Sequence, residues 1–422
     1  MSDAGSTPRD TQQRPVTTIT TIMISVLLMG TGSALQGTAL ALRAGIEGFS
    51  NAAIGSFMSI YYVGMAAGTF LSTRVVRTVG YVRSFAAFAS LASAAAFAHV
   101  LVIHPVAWIV FRGIHGLCLS VMLVVVESWL NVCSTSSNRG RVLSVYSVAY
   151  LASMGLGQPL IGRFSPATYE IFGITTILVS LSLVPMALAR VTGSAQVTQQ
   201  RPEIVRTFMR SPLAGFGVIV SGLLFGASWS LIPRYGQEQG LGEGAIGILM
   251  LLVSVGTLAM QWPLGWISDR RSRREAILLS SGVGLVMATI IAVTSASGAL
   301  LYPLVLLFGG FGMPLYSLSI ALMNDQLSRD EMVEAAGTLI ILYGAGSALG
   351  PLLGSAMMAR IGPQGLFYAM AAPLALFVLF GALRVRLVPK LATGGRQRYR
   401  PFPRTTYAAF SLLRKVTGRK RR

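Results

Sequence analysis

The chain has 422 residues, of which 53% are hydrophobic and only 11% charged, and it carries a net charge of +20. A soluble domain has about 25% charged residues, so this composition excludes an ordinary water-soluble globular protein. The basic excess lies in short segments between apolar stretches and at the C-terminus, and it calls for no nucleic-acid partner.

Apolar runs of about 20 residues, long enough to cross a bilayer as an α-helix, recur along the chain. The expected fold class is an all-α polytopic membrane protein with twelve transmembrane helices. They fall at roughly 18–42, 52–71, 84–103, 106–132, 142–163, 168–190, 213–233, 245–265, 276–296, 299–322, 334–357 and 365–386. The first run, Thr18 to Leu42, is too long for a signal-peptide core and precedes no small-residue cleavage site, so it is expected to remain as the first span. Residues 1–17 then form an N-terminal tail and 18–190 a first group of six helices. Residues 191–212 form a polar, basic linker, 213–386 a second group of six, and 387–422 a basic tail. Cys118 and Cys133 lie in one span and at its end, cannot frame a disulfide scaffold, and read as small packing residues.

Orientation follows from the arginines. One set of connections carries Arg74, Arg77, Arg83, Arg139, Arg141, Arg190, Arg201, Arg206, Arg210, Arg270, Arg271, Arg273, Arg274 and Arg329, and both termini add more. The opposite set carries only Arg43, Arg163, Arg234 and Arg360. The arginine-rich side, with both termini, is therefore expected to be cytoplasmic, in a cytoplasmic (inner) membrane.

The two groups of six repeat. Arg77-Thr-Val-Gly80 corresponds to Asp269-Arg-Arg-Ser272, offset by 192. Phe111-Arg-Gly113 matches Phe308-Gly-Gly310 at an offset of 197, and "LGQPLIG" from Leu156 matches "LGPLLG" from Leu349 at 193. Three matches at nearly one offset indicate an internal duplication.

Within the spans, only Arg112 and Glu127 are clearly ionisable acids or bases, and both lie in the fourth. Charges in the bilayer are costly and face a cavity or a partner. Fifteen residues separate the two, about 22 Å along a helix, so they do not pair directly. His115 shares the face of Arg112, one turn on. It reads either as a satisfied packing histidine or as a proton switch tuned by the guanidinium. Glu127 either lines a cavity or braces the cytoplasmic helix end near Arg139 and Arg141. Polar or aromatic candidates for a cavity wall are Gln36, Tyr62, Tyr150, Gln158, Trp229, Gln261, Tyr316 and Tyr343. So little cavity charge favours a neutral, cationic-amphipathic or weakly anionic small organic molecule and argues against polyanions. Gly157 and Pro159, and their repeat partners Gly350 and Pro351, read as helix-packing and bending positions.

Several stretches resemble the major facilitator superfamily of secondary transporters. "GWISDRRSRR" from Gly265 looks like the family's signature loop, with Ser272 where a glycine is usual. "RGIHG" from Arg112 is similar to its helix 4 motif, and "VVVESWLN…NRGR" and "QWPLGW" look like a largely uncharacterised subset of bacterial inner-membrane members. The resemblance covers Thr18 to about Arg386. It implies two pseudo-symmetric six-helix bundles that rock about a central cavity. It also implies that Arg112 serves proton coupling or anionic substrate binding, the alternative being a structural hydrogen-bonding role. Two departures stand out: the first span holds no acid, which argues against proton symport by that route, and Gln158 interrupts the Gly-Pro of the family's antiporter motif.

The same resemblance makes Asp269 and Arg270 part of a cytoplasmic gate. The expectation is that Asp269 latches onto the start of the fifth span at Arg139 and Arg141, where the helix dipole favours a carboxylate. In the other half the charges look exchanged, with Arg77 facing Asp330 or Glu334. The alternative for both is solvated loop charge and helix capping, since exposed pairs contribute only about 0–1 kcal/mol.

The expected function is a secondary active transporter of a small organic solute, directed toward efflux, with the proton as coupling ion and no cofactor. The other reading is a non-transporting membrane sensor or assembly protein built on the same fold, which would have a filled cavity. An enzyme is not expected: His99, His104 and His115 have no metal-ligand spacing, and no nucleophile constellation or P-loop is present. The chain is expected to act as a monomer. Its tail, with Tyr407, Phe410 and Leu413 at i, i+3, i+6, reads either as an amphipathic anchor on anionic lipid or as a disordered basic segment.

Overall fold

The structure is a computed structural model that describes residues 8–135, 138–189, 203–295 and 298–387, without the side chains of 8–17, 329–330, 333–334 and 385–387. The tail beyond 387 and most of the linker, with their expected roles, lie outside the described residues.

Every regular element described is helical. The first half comprises α1 (Pro8–Ile46), α2 (Asn51–Val79), α3 (Tyr81–Leu101), α4 (Pro105–Cys133), α5 (Arg139–Leu156), α6 (Glu170–Leu181) and α7 (Leu183–Leu188). A short linker helix, α8 (Ile204–Arg210), leads to the second half. That half comprises α9 (Pro212–Glu238), α10 (Glu243–Arg270), α11 (Arg273–Thr294), α12 (Leu301–Gly312), α13 (Leu315–Asn324), α14 (Arg329–Ile361) and α15 (Gly365–Leu387). Among the described residues, eleven segments are long and apolar enough to cross a membrane.

Three expected spans are not single helices. The fifth stops at Leu156 and continues as a 3-10 turn over Gln158–Gly162, because Pro159 has no backbone N–H to extend the ladder. The sixth breaks at Ser182, whose hydroxyl donates to the Val179 carbonyl at 2.6 Å. The tenth breaks between Gly312 and Leu315, at Pro314. Conversely, α2 and α10 run further than the hydropathy suggests, so Arg77, Asp269 and Arg270 sit in last helical turns rather than in free loops.

The duplication is visible in backbone hydrogen bonds. α1 ends in a Schellman cap: Phe49 N–H donates to Ala44 O at 2.9 Å and Gly48 N–H to Gly45 O at 3.2 Å, with Gly48 at φ 71°. α9 ends identically, with Leu241 to Gly236 at 2.9 Å, Gly240 to Gln237 at 3.0 Å, and Gly240 at φ 75°. Each of these positions is offset by 192, and the left-handed φ at the capping residue favours glycine. Close helix contacts repeat too. A Cβ on Gly64 would overlap the Gly113 carbonyl, and one on Gly256 would overlap the Leu306 carbonyl and press on Gly310 N. Small residues at these pairs let α2 meet α4, and α10 meet α12, backbone to backbone.

The apolar core is asymmetric along the membrane normal. One cluster fills the second half and continues into the first through Leu35, Ala39, Ile54, Phe57, Trp108 and Ile171. These lie at the end where α1 meets α2. A separate cluster, around Met122, Val126, Trp129 and Tyr146, serves the arginine-rich end of the first half alone. The halves thus share one hydrophobic core at the arginine-poor end.

Candidate functional site

Between the halves lies a cavity of about 140 Å³, walled by α1, α2, α4 and α5 on one side and α9 and α14 on the other. Its lining runs from Arg112, two turns into α4, to Thr73 and Gly337, near the arginine-rich ends of α2 and α14.

Arg112 is the one charged residue among the described residues of the wall. It is only 5% exposed. The Tyr61 ring covers one guanidinium face, 4.2 Å from Cζ to the ring centroid. Nε and Nη1 have no hydrogen-bond partner among the described residues. Gly37 makes room for this group, since a Cβ there would stand 3.2 Å from Nη2. In the duplicated half, glycine Gly309 takes the place of Arg112, so the cation breaks the internal symmetry.

Aromatic rings form the rest of the wall and link the halves. Tyr61 and Tyr62 meet edge to face at 5.1 Å, and Tyr62 reaches Phe225 of the other half at 6.4 Å. Phe225 in turn contacts Trp229 at 6.2 Å and Tyr343 at 5.9 Å. Ser230 of α9 joins Tyr62 in the lining from the opposite half.

The residues singled out in the sequence divide into wall and backing. Tyr62, Tyr150, Trp229, Tyr343 and Arg112 line the cavity. His115 stands behind Tyr61 at a ring distance of 6.2 Å, and its nitrogens engage the Ala92 carbonyl at 3.3 Å and Ser33 Oγ at 3.4 Å. Glu127 is fully buried and accepts the Tyr146 hydroxyl at 2.9 Å, and Tyr146 stacks on Tyr150 at 6.4 Å. Gln36 is fully buried in α1. Gln158 donates to Met154 O at 2.9 Å and lies on the seam between halves, where its carbonyl faces Gly247 of α10. Tyr316 packs behind Tyr343 at 4.6 Å, and Gln261 donates to Ser317 at 2.8 Å. Gly157 abuts Thr31 of α1, and Gly350 abuts the backbone of α9 at Leu223 and Ala227. Pro351 stays within the continuous α14, unlike Pro159. Tyr61, Ser33 and Phe225 were not singled out from the sequence, although Tyr61 neighbours Tyr62.

The arginine-poor end is closed by contacts across the halves. Arg234 Nε donates to Asn51 Oδ1 at 3.3 Å and Gln237 Nε2 to Leu42 O at 3.1 Å. Ser165 Oγ donates to Glu243 Oε1 at 2.9 Å, and Ser59 Oγ to the Ala348 carbonyl. Glycines permit the approach: a Cβ on Gly55 would overlap Ser355, and one on Gly162 would stand 2.6 Å from Gly244 Cα.

At the arginine-rich end, Asp269 pairs with Arg273 of its own half at 2.9 Å, and Arg270 lies over the Trp266 ring at 4.3 Å. Arg139 donates to Asn131 O at 3.4 Å, and Arg141 is exposed. The side chains of Asp330 and Glu334 lie outside the described residues, and with them the expected pairing of Arg77.

Comparison with known proteins adds three findings. The family profile of the Major Facilitator Superfamily matches residues 22–215 and 214–418. Proteins named uncharacterized MFS-type transporter YcaD are similar: the one from Escherichia fergusonii is 28% identical over 367 residues, covering 86% of this chain and 94% of its own. The one from Shigella flexneri is 28% identical over 377 residues, covering 89% and 96%. Among solved structures, the nucleoside transporter NupG superposes with a TM-score of 0.71 at 12% identity, covering 88% of this chain and all of NupG.

Proposed function

This chain belongs to the Major Facilitator Superfamily and is a multi-pass membrane transporter, and we propose that it exports a small organic solute through its central cavity by alternating access, driven by the proton gradient. The single observation that carries the reading is the cavity itself. It lies between duplicated halves, is closed at the arginine-poor end and is lined as far as the arginine-rich helix ends. With the arginine-rich side in the cytoplasm, this is an inward-facing state, the one in which an exporter loads. A sensor that borrowed the fold would have no need of a lined cavity crossing both halves.

Proton coupling is supported by Glu127. It is a buried carboxyl joined to the wall through Tyr146 and Tyr150. Its protonation state would be communicated to the cavity through that hydroxyl. The gate proposed at Asp269, Arg270, Arg139 and Arg141 would close in the outward-facing state, with Asp269 exchanging its bond to Arg273 for the start of α5. Neither step needs a cofactor.

The test is flux. Purified protein in liposomes is loaded with a metabolite mixture, a proton gradient is imposed, and the external medium is assayed by mass spectrometry. Gradient-dependent appearance of a subset of solutes, absent from empty liposomes, is the expected result. Identical profiles with and without protein, under gradients of either sign, would reject transport of these solutes.

A further inference from the structure

Resting on that reading, we infer that the solute is a planar, single-ring organic monoanion of the aromatic carboxylate class. Four features of the cavity lead there.

The first is charge. Arg112 is buried to 5% exposure, and no acid belongs to the described wall. The other charged residue of α4, Glu127, is about 22 Å away along the helix and already accepts the Tyr146 hydroxyl. A buried cation without a counter-charge is strongly unfavourable, so an occupant bearing one negative charge is held more tightly than a neutral or cationic one. A polyanion would leave its further charges unmatched.

The second is donor geometry. Tyr61 occupies one face of the guanidinium, while Nε and Nη1 have no partner among the described residues. N–H donors in the plane of a guanidinium match the planar oxygens of a carboxylate. Tyr61 fixes that plane.

The third is the remaining wall. Tyr62, Phe225, Trp229 and Tyr343 present a run of rings from both halves. Rings gain from stacked or edge-to-face contact with another ring. The fourth is size: the cavity measures about 140 Å³, and an apolar protein cavity of about 150 Å³ accommodates benzene.

The probes are benzoate, benzamide and benzylamine, which share a ring and differ in charge. Binding to the full-length protein in detergent is read by quenching of tryptophan fluorescence and by thermal stabilisation. Benzoate is expected to bind at least tenfold more tightly than either of the others. Arg112→Gln is expected to weaken benzoate at least tenfold and to leave benzamide within a factor of three. Should Arg112→Gln fail to fold, Ala34→Asp adds a carboxylate to the wall one turn before Gly37 and is expected to reverse the preference toward benzylamine. Benzamide or benzylamine binding as tightly as benzoate overturns the inference, as does a benzoate affinity unchanged in both variants. Undetectable benzoate binding overturns it too, while the transporter reading survives on flux of any other solute. Benzoate bound but never moved in liposomes would retain the site and overturn the inference that this class is the transported solute.

Discussion

Arg273 Nη1 donates to Asp269 Oδ1 at 2.9 Å across the turn between α10 and α11. The same guanidinium donates from Nε to Asp325 Oδ2 at 2.7 Å, at the end of α13, and from Nη1 to Ser268 Oγ at 3.1 Å. Asp269 sits in the last turn of α10, where the helix dipole disfavours a carboxylate, and Arg273 offsets that. Arg273 is 4% exposed, so removing it leaves two partly buried carboxylates facing each other. Arg273→Gln is expected to destabilise the second half by about 3 kcal/mol, measured as a lower melting temperature in detergent. A melting curve matching wild type would show that the cluster is solvated rather than structural.

Gly55 of α2 touches Ser355 and the Pro351 carbonyl of α14 at the closed end. Gly55→Val has no room there and is expected to wedge the halves apart. Spin labels at Ile46 and Gln239, on the ends of α1 and α9, should report a longer distance in the variant. An unchanged distance distribution would mean that the seam yields locally and does not set the conformational balance.

Glu127 and Tyr146 offer a separation of coupling from transport. Glu127→Gln keeps a group that accepts the Tyr146 hydroxyl but cannot release a proton. It is expected to abolish gradient-driven accumulation while solute exchange at equal pH continues at a rate within a few-fold of wild type. Loss of both activities, or of neither, would remove Glu127 from the coupling step.

Glu331 joins the linker to the second half. Its carboxyl accepts the Ser328 backbone N–H at 2.9 Å in a capping box, and Arg210 and Arg206 of α8 reach it at 2.7 and 3.7 Å. The bonds from the Ser328 backbone and hydroxyl, and then the two arginines, hold its pKa below the ordinary value of 4.5. A depressed acid stabilises above its unfolded pKa and ceases to do so as pH falls through the folded one. Hydrogen-exchange protection of α8 should therefore be constant from pH 7 to about pH 5 and fall only below about 4.5. Protection lost already at pH 6 would exclude Glu331 as the docking group, and Glu331→Gln should remove the acid step.

Much of this molecule is local enough to read from the chain. Hydropathy runs, arginine placement and the near-constant repeat offset depend on neighbours in sequence, and they place the spans, their alternation and the duplication. The Schellman glycines Gly48 and Gly240 were also within reach, since both sit after an apolar run and differ by 192. The breaks at Pro159 and Pro314 carried the ordinary proline signal, but a continuous hydropathy run masked it.

What the chain alone left open is which face of each helix turns inward. Tyr62 was singled out and Tyr61 was not, yet both line the cavity. Gln36, Gln158, Gln261 and Tyr316 were candidates for the wall and stand behind it. A helix advances about 100° per residue, and both faces of these spans are apolar because one meets lipid and the other a neighbouring helix. Rotation about the axis is therefore decided by close contacts such as Gly64 with Gly113 and Gly55 with Ser355, between residues far apart in sequence. The pairing of Arg273 with Asp325, 52 positions on, is of the same kind. The sequence by itself determined that apolar helices cross a membrane repeatedly and that they fall into two duplicated groups. Tertiary packing alone decided that one unmatched guanidinium would stand among rings from both halves.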